Sequence, residues 1–464
     1  MTDTDHLFSN LIHVIHPIIE RITSCGGVPV LVGGCVRDFY LGHTTKDIDI
    51  EVFGINDLTT LKDSLSKLTK INTVGRSFQV LKTTYRNMEI DLSLPRIDTK
   101  VGPGHKGFDI TPAPTISYEQ AASRRDFTIN SMGYDLVNKE LLDPFEGLID
   151  CKKKVLRAVS DHFEEDPLRV FRALQFSARF EFKIDEKTLQ RCQKMPIHEL
   201  SKERIYEEFK KCLLKSHKPS FGLQYTKALG IDRLFTEFET LRNTPQDPEW
   251  HPEGSVWEHT LLVVDEMAKL APSAQKLGFM FAALCHDIGK PSCTETIKGH
   301  IRSYGHDKIG AKITPSFLSK ITDDKKLISF VTTLVETHMQ PSLLFSATQK
   351  GRVTDAAIRR LSKKVSIPDL LILAKADHFG RTTDSAINNH FPAGEWLQKR
   401  YDALSLTQKG PDPLISGKEL MALGYQEGHF LGTILKDVAQ QQEEGTLSTP
   451  EEALNYIKTN YPLS

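Results

Sequence analysis

Two aspartates lie two apart in the β-branched run "KDIDIEVF" (Lys46–Phe53), shortly after the double glycine of "LVGGCVRD" (Leu31–Asp38). Asp47 and Asp49 alternate with Ile48, Ile50 and Val52, the period of a strand with one buried face. Both carboxylates then project from the other face. Adjacent like charges are best tolerated with a cation between them, and Mg²⁺ usually binds through one or two carboxylates plus substrate phosphates. A glycine turn opening a helix offers backbone N–H groups to a phosphate, and Arg37, one turn into that helix, adds charge. Together these parts suit transfer of a nucleotide from a triphosphate. Asp-x-Asp alone would more readily be a solvated edge strand; the glycines and arginine favour the chemical reading.

A second group lies in "SRRDFTIN" (Ser123–Asn130). An arginine fork (Arg124, Arg125) holds a phosphate or a sugar edge. Asp126 or Asn130 can hydrogen-bond a ribose hydroxyl, unless Asp126 only caps a helix. In "EEDPLRVFRALQFSARF" (Glu164–Phe180), Asp166 is a natural N-cap and Pro167 a natural first helical residue, with Arg169, Arg172 and Arg179 on neighbouring turns. Cytosine and adenine both offer an amino donor beside a ring-nitrogen acceptor; guanine and uracil offer a carbonyl beside an N–H. A carboxylate next to a guanidinium, Asp166 beside Arg169, therefore fits C and A and opposes G and U. The plainer alternative is a capped helix with one basic edge. A third group gathers His259, the adjacent His286 and Asp287 that close the apolar run "LGFMFAALCHDIGKP", His306, His338 and Asp377. Imidazole with carboxylate suits one or two divalent metals and attack on a phosphoester.

These groups need scaffolds. A chain of 464 residues has room for about three domains. With a net charge of −1, any anion-binding surface must be local. No apolar run nears the ~18 residues of a membrane span. "MTDTDHLFSN" lacks signal-peptide features, and the seven scattered cysteines never form Cys-x-x-Cys. A cytoplasmic protein is expected. The first part mixes helix and strand: an amphipathic helix ending at Gly26-Gly27, a strand in "VPVLVGG", a hairpin in "FQVLKTTYRNMEIDLSLP", and a mobile loop over Arg96–Tyr118. The pattern then turns helical to about residue 240, breaks at Asn243–Gly254, and is helical again to about 395. A short tail ends in a helix opened by a capping box at Thr449, Pro450 and Glu452.

The motifs Gly-Gly, Val-Arg-Asp, Asp-x-Asp, Arg-Arg-Asp-Phe-Thr-x-Asn and Glu-Asp-x-x-Arg occur here in the order found in the class II (bacterial-type) tRNA nucleotidyltransferase/poly(A) polymerase branch of the DNA polymerase β superfamily, which the chain resembles over about residues 25–240. The resemblance implies a multidomain α+β protein. It would have a polymerase-β-like head of mixed sheet and helices (1–155), an all-α neck (156–245), an all-α HD domain (246–400) and a helical tail (401–464). It implies Asp47 and Asp49 as catalytic carboxylates on Mg²⁺. Gly34, Arg37, Arg125, Asp126, Asn130, Asp166, Arg169 and Arg172 would bind nucleotide, and Arg204 with Glu207 or Glu208 would brace the template helix. Asp91 is either a third acidic group or a hydrogen-bonded strand residue.

The order His…His-Asp…Asp resembles HD-domain phosphohydrolases over about residues 250–395. That implies His259, His286, Asp287 and Asp377 as ligands of Mg²⁺, Mn²⁺, Ni²⁺ or Co²⁺, with His306 and His338 as further candidates. The activity implied is untemplated addition of C, C and A to a tRNA 3′ end from CTP and ATP, with phosphoester hydrolysis in the HD domain. The implied partners are tRNA and the two nucleotides, with no membrane and the oligomeric state open. A poly(A) polymerase, or an enzyme adding only CC or only A, shares every head motif. An HD nucleotide hydrolase whose head merely binds RNA is opposed by the Asp47/Asp49 pair.

Overall fold

The computed structural model describes residues 3–43, 45–74, 80–100, 108–113, 115–351, 353–404, 413–443 and 445–463. The chain divides into two compact units, residues 1–235 and 236–464.

The first unit is built on a seven-stranded mixed sheet. Its strands are β1 (Val28–Val32), β2 (Asp47–Phe53), β3 (Asn72–Val74), β4 (Val80–Tyr85), β5 (Met88–Ser93), β8 (Gly133–Asp135) and β9 (Glu140–Leu142), in the order β3-β4-β5-β2-β1-β8-β9. A separate antiparallel ribbon joins β6 (Arg96–Lys100) to β7 (Phe108–Pro112). β2 lies mid-sheet, antiparallel to β1 and parallel to β5. Its burial follows the sequence period: Ile48, Ile50 and Val52 enter the core, while Asp47 and Asp49 face solvent. The hairpin β4–β5 turns on Arg86 and Asn87, both left-handed as tight hairpins require. Helix Asp3–Ser24 buries Phe8, Leu11, Ile15, Ile18 and Ile22 at helical spacing.

The loop expected over Arg96–Tyr118 is instead largely a strand pair, Arg96 opposite Pro112 and Lys100 opposite Phe108. Its three glycines and Pro103 fall in 101–107, outside the described residues, and the β-branched Ile97, Thr99, Ile110 and Thr111 on either side favour strands.

After residue 155 this unit is mainly helical. Helix Leu168–Phe180 buries Val170, Phe171, Leu174 and Phe176 and packs against helix Lys202–Lys215.

The second unit surrounds one very apolar helix, Lys276–Cys285, every residue of which from Gly278 onward is buried. Helices Val256–Leu270, Lys325–Thr337 and Ile367–Phe379 pack on it. One hairpin, Glu295–Ile297 with His300–Arg302, interrupts the block read as wholly helical; its signal was Lys298-Gly299 flanked by the β-branched Thr296, Ile297 and Ile301, and both turn residues are left-handed. The tail forms its own core around Leu420, Ile434, Val438 and Ile457, and Thr449 and Glu452 make the expected capping box. No described helix is long and apolar enough to cross a membrane.

Candidate active sites

In the first unit the acidic strand β2 sets the chemistry. Parallel pairing puts Asp49 opposite Asp91 and Asp47 opposite Glu89, so Asp47, Asp49 and Asp91 sit on two neighbouring strands. Lys82 pairs with Asp91. Loss of hydration raises the Asp49 carboxyl above its ordinary value; Arg125 pulls the other way, and Asp91 and Asp47 add to the rise. Asp49 borders two cavities. One, of about 580 Å³, also holds Asp47, Gly34, Lys46, Arg179, Lys215 and His217. The other, of about 310 Å³, holds Glu51, Asp91, Arg96, Arg124 and Arg125.

Behind the carboxylates runs a buried polar chain. Glu51, the third acidic residue on the same face of β2, is 3% exposed. Its Oε1 accepts from Arg124 Nη2 at 2.9 Å and Arg125 Nη2 at 3.0 Å. Sequence reading missed Glu51, although its i+2 spacing from Asp49 was the available signal. Asp126 accepts from Arg172 Nε at 2.6 Å, from Asn130 Nδ2 at 2.9 Å and from the Phe127 amide at 2.8 Å. Asn130 in turn accepts from Arg37. Arg37 is buried, donates to Asp38 Oδ1 through Nε at 2.8 Å, and lies over the Phe180 ring at 4.5 Å. The charge expected of Arg37 is therefore committed to Asp38 and Asn130, which makes it a strut between the glycine turn and Asn130. Gly33 is left-handed (φ 74°), and a Cβ there would come within 3.0 Å of Arg125 Nη1.

The Arg169 amide donates to the Asp166 carbonyl at 3.0 Å, while the two side chains are held by other groups. Helix Leu168–Phe180 begins two residues after Asp166, with Pro167 at the cap position, and Asp166 Oδ1 accepts from the Leu168 amide at 3.1 Å. Asp166 Oδ2 accepts from Arg204 Nη2 at 2.9 Å. Arg169 donates to the carbonyls of His162 and Arg124, each at 2.6 Å.

In the second unit the six expected residues converge from five places in the fold. Helix Val256–Leu270 supplies His259. His286 caps the buried helix and Asp287 follows it. His306 opens helix His306–Ser319, His338 closes helix Lys325–Thr337, and Asp377 lies on helix Ile367–Phe379. All six are buried. Ring Nδ1 atoms are committed to backbone carbonyls: His286 to Ala283 at 2.8 Å, His306 to Ser303 at 2.7 Å and His338 to Val335 at 2.7 Å. Such donation fixes the tautomer and leaves Nε2 as a lone pair.

Two donor sets result, {His259, His286, Asp377} and {Asp287, His306, His338}. Asp287 spans them: Oδ2 lies 3.2 Å from His286 Nε2, and Oδ1 lies 3.3 Å from His306 Nε2 and 3.8 Å from His338 Nε2. His286 Nε2 is buried and out of hydrogen-bond alignment, an expensive arrangement for a polar atom unless a cation takes its lone pair. Burial, with His306 and His286 nearby, pushes His338 down to about 4, so it is neutral and able to donate a lone pair at neutral pH. Although burial opposes ionisation, His286 and Lys290 hold Asp287 well below the usual carboxylate range, and Arg381 does the same for Asp377.

Three supports here were missed by sequence reading. Lys290 Nζ lies 2.6 Å from Asp287 Oδ2, Arg381 Nη2 lies 3.2 Å from Asp377 Oδ1, and Glu253 Oε1 faces His259 Nδ1 at 2.8 Å. A fourth, Gly289, permits the site. A Cβ there would lie 2.1 Å from the His306 carbonyl and 2.5 Å from the Gly310 amide, so only glycine lets the helix bearing His306 approach.

An acidic strand beside a glycine turn, and a buried cage of imidazoles and carboxylates, define a nucleotidyltransferase head followed by a metal-binding helical domain. Residues 30–157 match the poly A polymerase head domain family, and residues 256–382 match the HD domain family. The multifunctional CCA protein of Pasteurella multocida is 33% identical over 386 residues, spanning 80% of this chain and 88% of its own. The chain belongs to the family of multifunctional CCA proteins. Its fold is similar to that of a CCA-adding enzyme in an apo form (TM-score 0.67, 19% identity, 98% of each chain). It is also similar to the Bacillus stearothermophilus CCA-adding enzyme in complex with CTP (0.65, 18%, 99% of each), and to the Thermotoga maritima enzyme complexed with tRNA (0.59, 20%, 97% and 94%).

Proposed function

We propose that the chain adds C, C and A to the 3′ end of tRNA from CTP and ATP, and that its second unit hydrolyses phosphoesters. The observation that carries the first activity is the position of Asp49, beside Asp47 and between two cation-lined cavities. Joining a hydroxyl to an α-phosphate needs two substrates to reach one carboxylate pair from different sides. Mg²⁺ held by Asp47 and Asp49, with Asp91 alongside, would supply activation of the hydroxyl and neutralisation of the leaving pyrophosphate. Glu51 balances Arg124 and Arg125 so that both stay fixed at the cavity wall. Arg204 aims the Asp166 carboxylate, and backbone carbonyls anchor Arg169, which presents acceptor and donor side by side for the edge of C or A. Related proteins solved with CTP, ATP and tRNA support this reading. All seven cysteines are free thiols, consistent with the cytoplasm.

For the second activity, the carrying observation is the paired donor set sharing Asp287. His259, His286, Asp287 and Asp377 would hold one divalent ion, and Asp287, His306 and His338 a second. Such ions supply a nucleophile at neutral pH and charge for the phosphoryl oxygens. Lys290 and Arg381 balance the carboxylates and keep them ionised.

The test is a tRNA ending at its discriminator base, incubated with labelled CTP, ATP or both. Extension by two nucleotides with CTP alone, by three with both, and none with ATP alone is expected. A long run of A from ATP alone would replace this reading with a poly(A) polymerase.

A further inference from the structure

The two cavities that meet at Asp49 differ in how far their cations are committed. In the smaller, Arg124 and Arg125 are both held by the buried Glu51. In the larger, of about 580 Å³, Lys46 and Lys215 make no side-chain hydrogen bond or ion pair among the described residues. Arg179, on the same wall, reaches Asp38 at 3.6 Å, but Asp38 is already taken by Arg37 at 2.8 Å. The other carboxylates there, Asp47 and Asp49, are the pair a divalent cation would occupy.

These cations come from separate elements. Lys46 stands directly before β2, beside Asp47. Arg179 lies in the last turn of helix Leu168–Phe180, Lys215 ends helix Lys202–Lys215, and His217 follows two residues later. The helix dipole favours a lysine in a last turn, which accounts for Lys215 taken alone. It does not account for a second uncommitted lysine, from the sheet, facing the same space. Like charges around one cavity repel unless an anion lies among them. Lys46, Lys215 and His217 are exposed, so their charge and hydrogen bonds are open to a ligand.

We infer that Lys46 and Lys215, with His217, hold the pyrophosphate that departs during nucleotide addition, so that the helical part of the first unit grips the leaving group as well as the base. This assignment rests on the nucleotide-addition reading above. In that reaction the primer's 3′ oxygen bonds to the α-phosphorus, the bond from that phosphorus to the α–β bridging oxygen breaks, and the electron pair leaves on pyrophosphate while the hydroxyl proton passes to water. The attacking and departing oxygens lie on opposite sides of the phosphorus. Two cavities meeting at one carboxylate suit that geometry, and the departing group, rich in charge, belongs on the side whose cations are free to bind it.

The test runs addition backwards on the full chain: tRNA ending in CCA is incubated with magnesium pyrophosphate and the release of ATP is followed. Lys46→Ala and Lys215→Ala should each raise the KM for pyrophosphate, and its inhibition constant against forward addition, by roughly 10- to 100-fold, the scale of losing one charged hydrogen bond. The KM for tRNA and the CTP:UTP preference should hold, and Lys215→Arg, which keeps the charge, should restore pyrophosphate binding. A KM for tRNA that rises and loses its salt dependence, with pyrophosphate constants unchanged, would show that the cavity holds RNA phosphates and overturn the assignment. Unchanged constants for both substrates in the two alanine variants would overturn it as well. If the wild-type protein adds no nucleotides, the transferase reading falls, and calorimetric titration with magnesium pyrophosphate decides the assignment: a binding site present in the wild type should be missing or weakened when both lysines are replaced by alanine, and identical isotherms overturn it.

Discussion

The two units approach a divalent cation in opposite ways. In the first, Asp47 and Asp49 face solvent on an open strand, and the surrounding buried residues serve other side chains: Glu51 fixes arginines, and Arg37 fixes Asn130. In the second, four imidazoles and two carboxylates are buried, their outer atoms already facing carbonyls, Glu253, Lys290 or Arg381. The difference follows from what completes each site. A nucleotidyl transferase needs room for phosphates to join the coordination, so the protein supplies only part of the shell. A hydrolytic centre must hold its ions between turnovers, so the protein supplies nearly all of it. The first site is defined by an exposed pair and its buried backing, the second by a closed cage.

The sharpest way to break that contrast is Gly289→Ala. The new Cβ would meet backbone on both sides, so the helix bearing His306 must retreat, and a displacement near 1 Å at such a site costs about 100-fold in rate. Phosphoester hydrolysis should fall at least that far, the bound divalent metal measured by elemental analysis should drop, and nucleotide addition should be kept. Full hydrolysis with unchanged metal content would mean that the cage does not depend on this close approach.

A smaller effect is expected where the first unit reads bases. Arg204→Ala removes the brace on Asp166 and leaves the Leu168 amide with its acceptor. CTP:UTP and ATP:GTP preference in kcat/KM should fall by about 1–3 kcal/mol equivalent, whereas the thermal melt should barely move. Asp166→Ala should lose the same preference and also about 1 kcal/mol of capping. Intact preference in both variants would leave Asp166 as a cap alone.

A third effect, on stability rather than on rate or selectivity, concerns Asp126 and depends on pH. Burial raises its carboxyl, but Arg172 and Asn130 outweigh that and leave it below the ordinary value. A depressed folded pKa contributes stability above the unfolded value near 4 and loses it as pH falls through the folded value. Asp126→Asn should therefore cost about 3 kcal/mol at pH 7, the scale of breaking a buried pair. The gap from wild type in urea unfolding should shrink toward pH 3. A gap constant with pH would show that the ion pair is not its source.

Local periodicity made much of this legible. The two-residue alternation of β2 placed Asp47 and Asp49, and an apolar helix ending in His-Asp placed His286 and Asp287. What stayed hidden was pairing at long range. Glu51 meets arginines more than seventy residues on, which its i+2 spacing from Asp49 could not show, and Arg204, expected as a brace of the template helix, has Asp166 as a partner that no local pattern names. Arg37 was read as adding charge beside the glycine turn, and sequence does not disclose that Phe180 and Asn130 enclose it. Nor does the sequence show what Gly289's missing side chain permits, the close approach of the helix bearing His306.

The central claim, two independent metal chemistries on one chain, is tested most directly by assaying both activities in the same preparations of wild type, Asp47→Ala, Asp49→Ala, His286→Ala and Asp287→Ala. Addition is followed on tRNA lacking its terminal CCA with CTP, ATP and Mg²⁺, and hydrolysis on a nucleoside monophosphate with Mg²⁺, Mn²⁺, Ni²⁺ or Co²⁺. The predicted result is a full crossover: the aspartate variants of β2 lose addition to background and keep hydrolysis, and the cage variants do the reverse. Either aspartate variant adding nucleotides at near wild-type rate, or either cage variant hydrolysing as wild type does, would contradict the account.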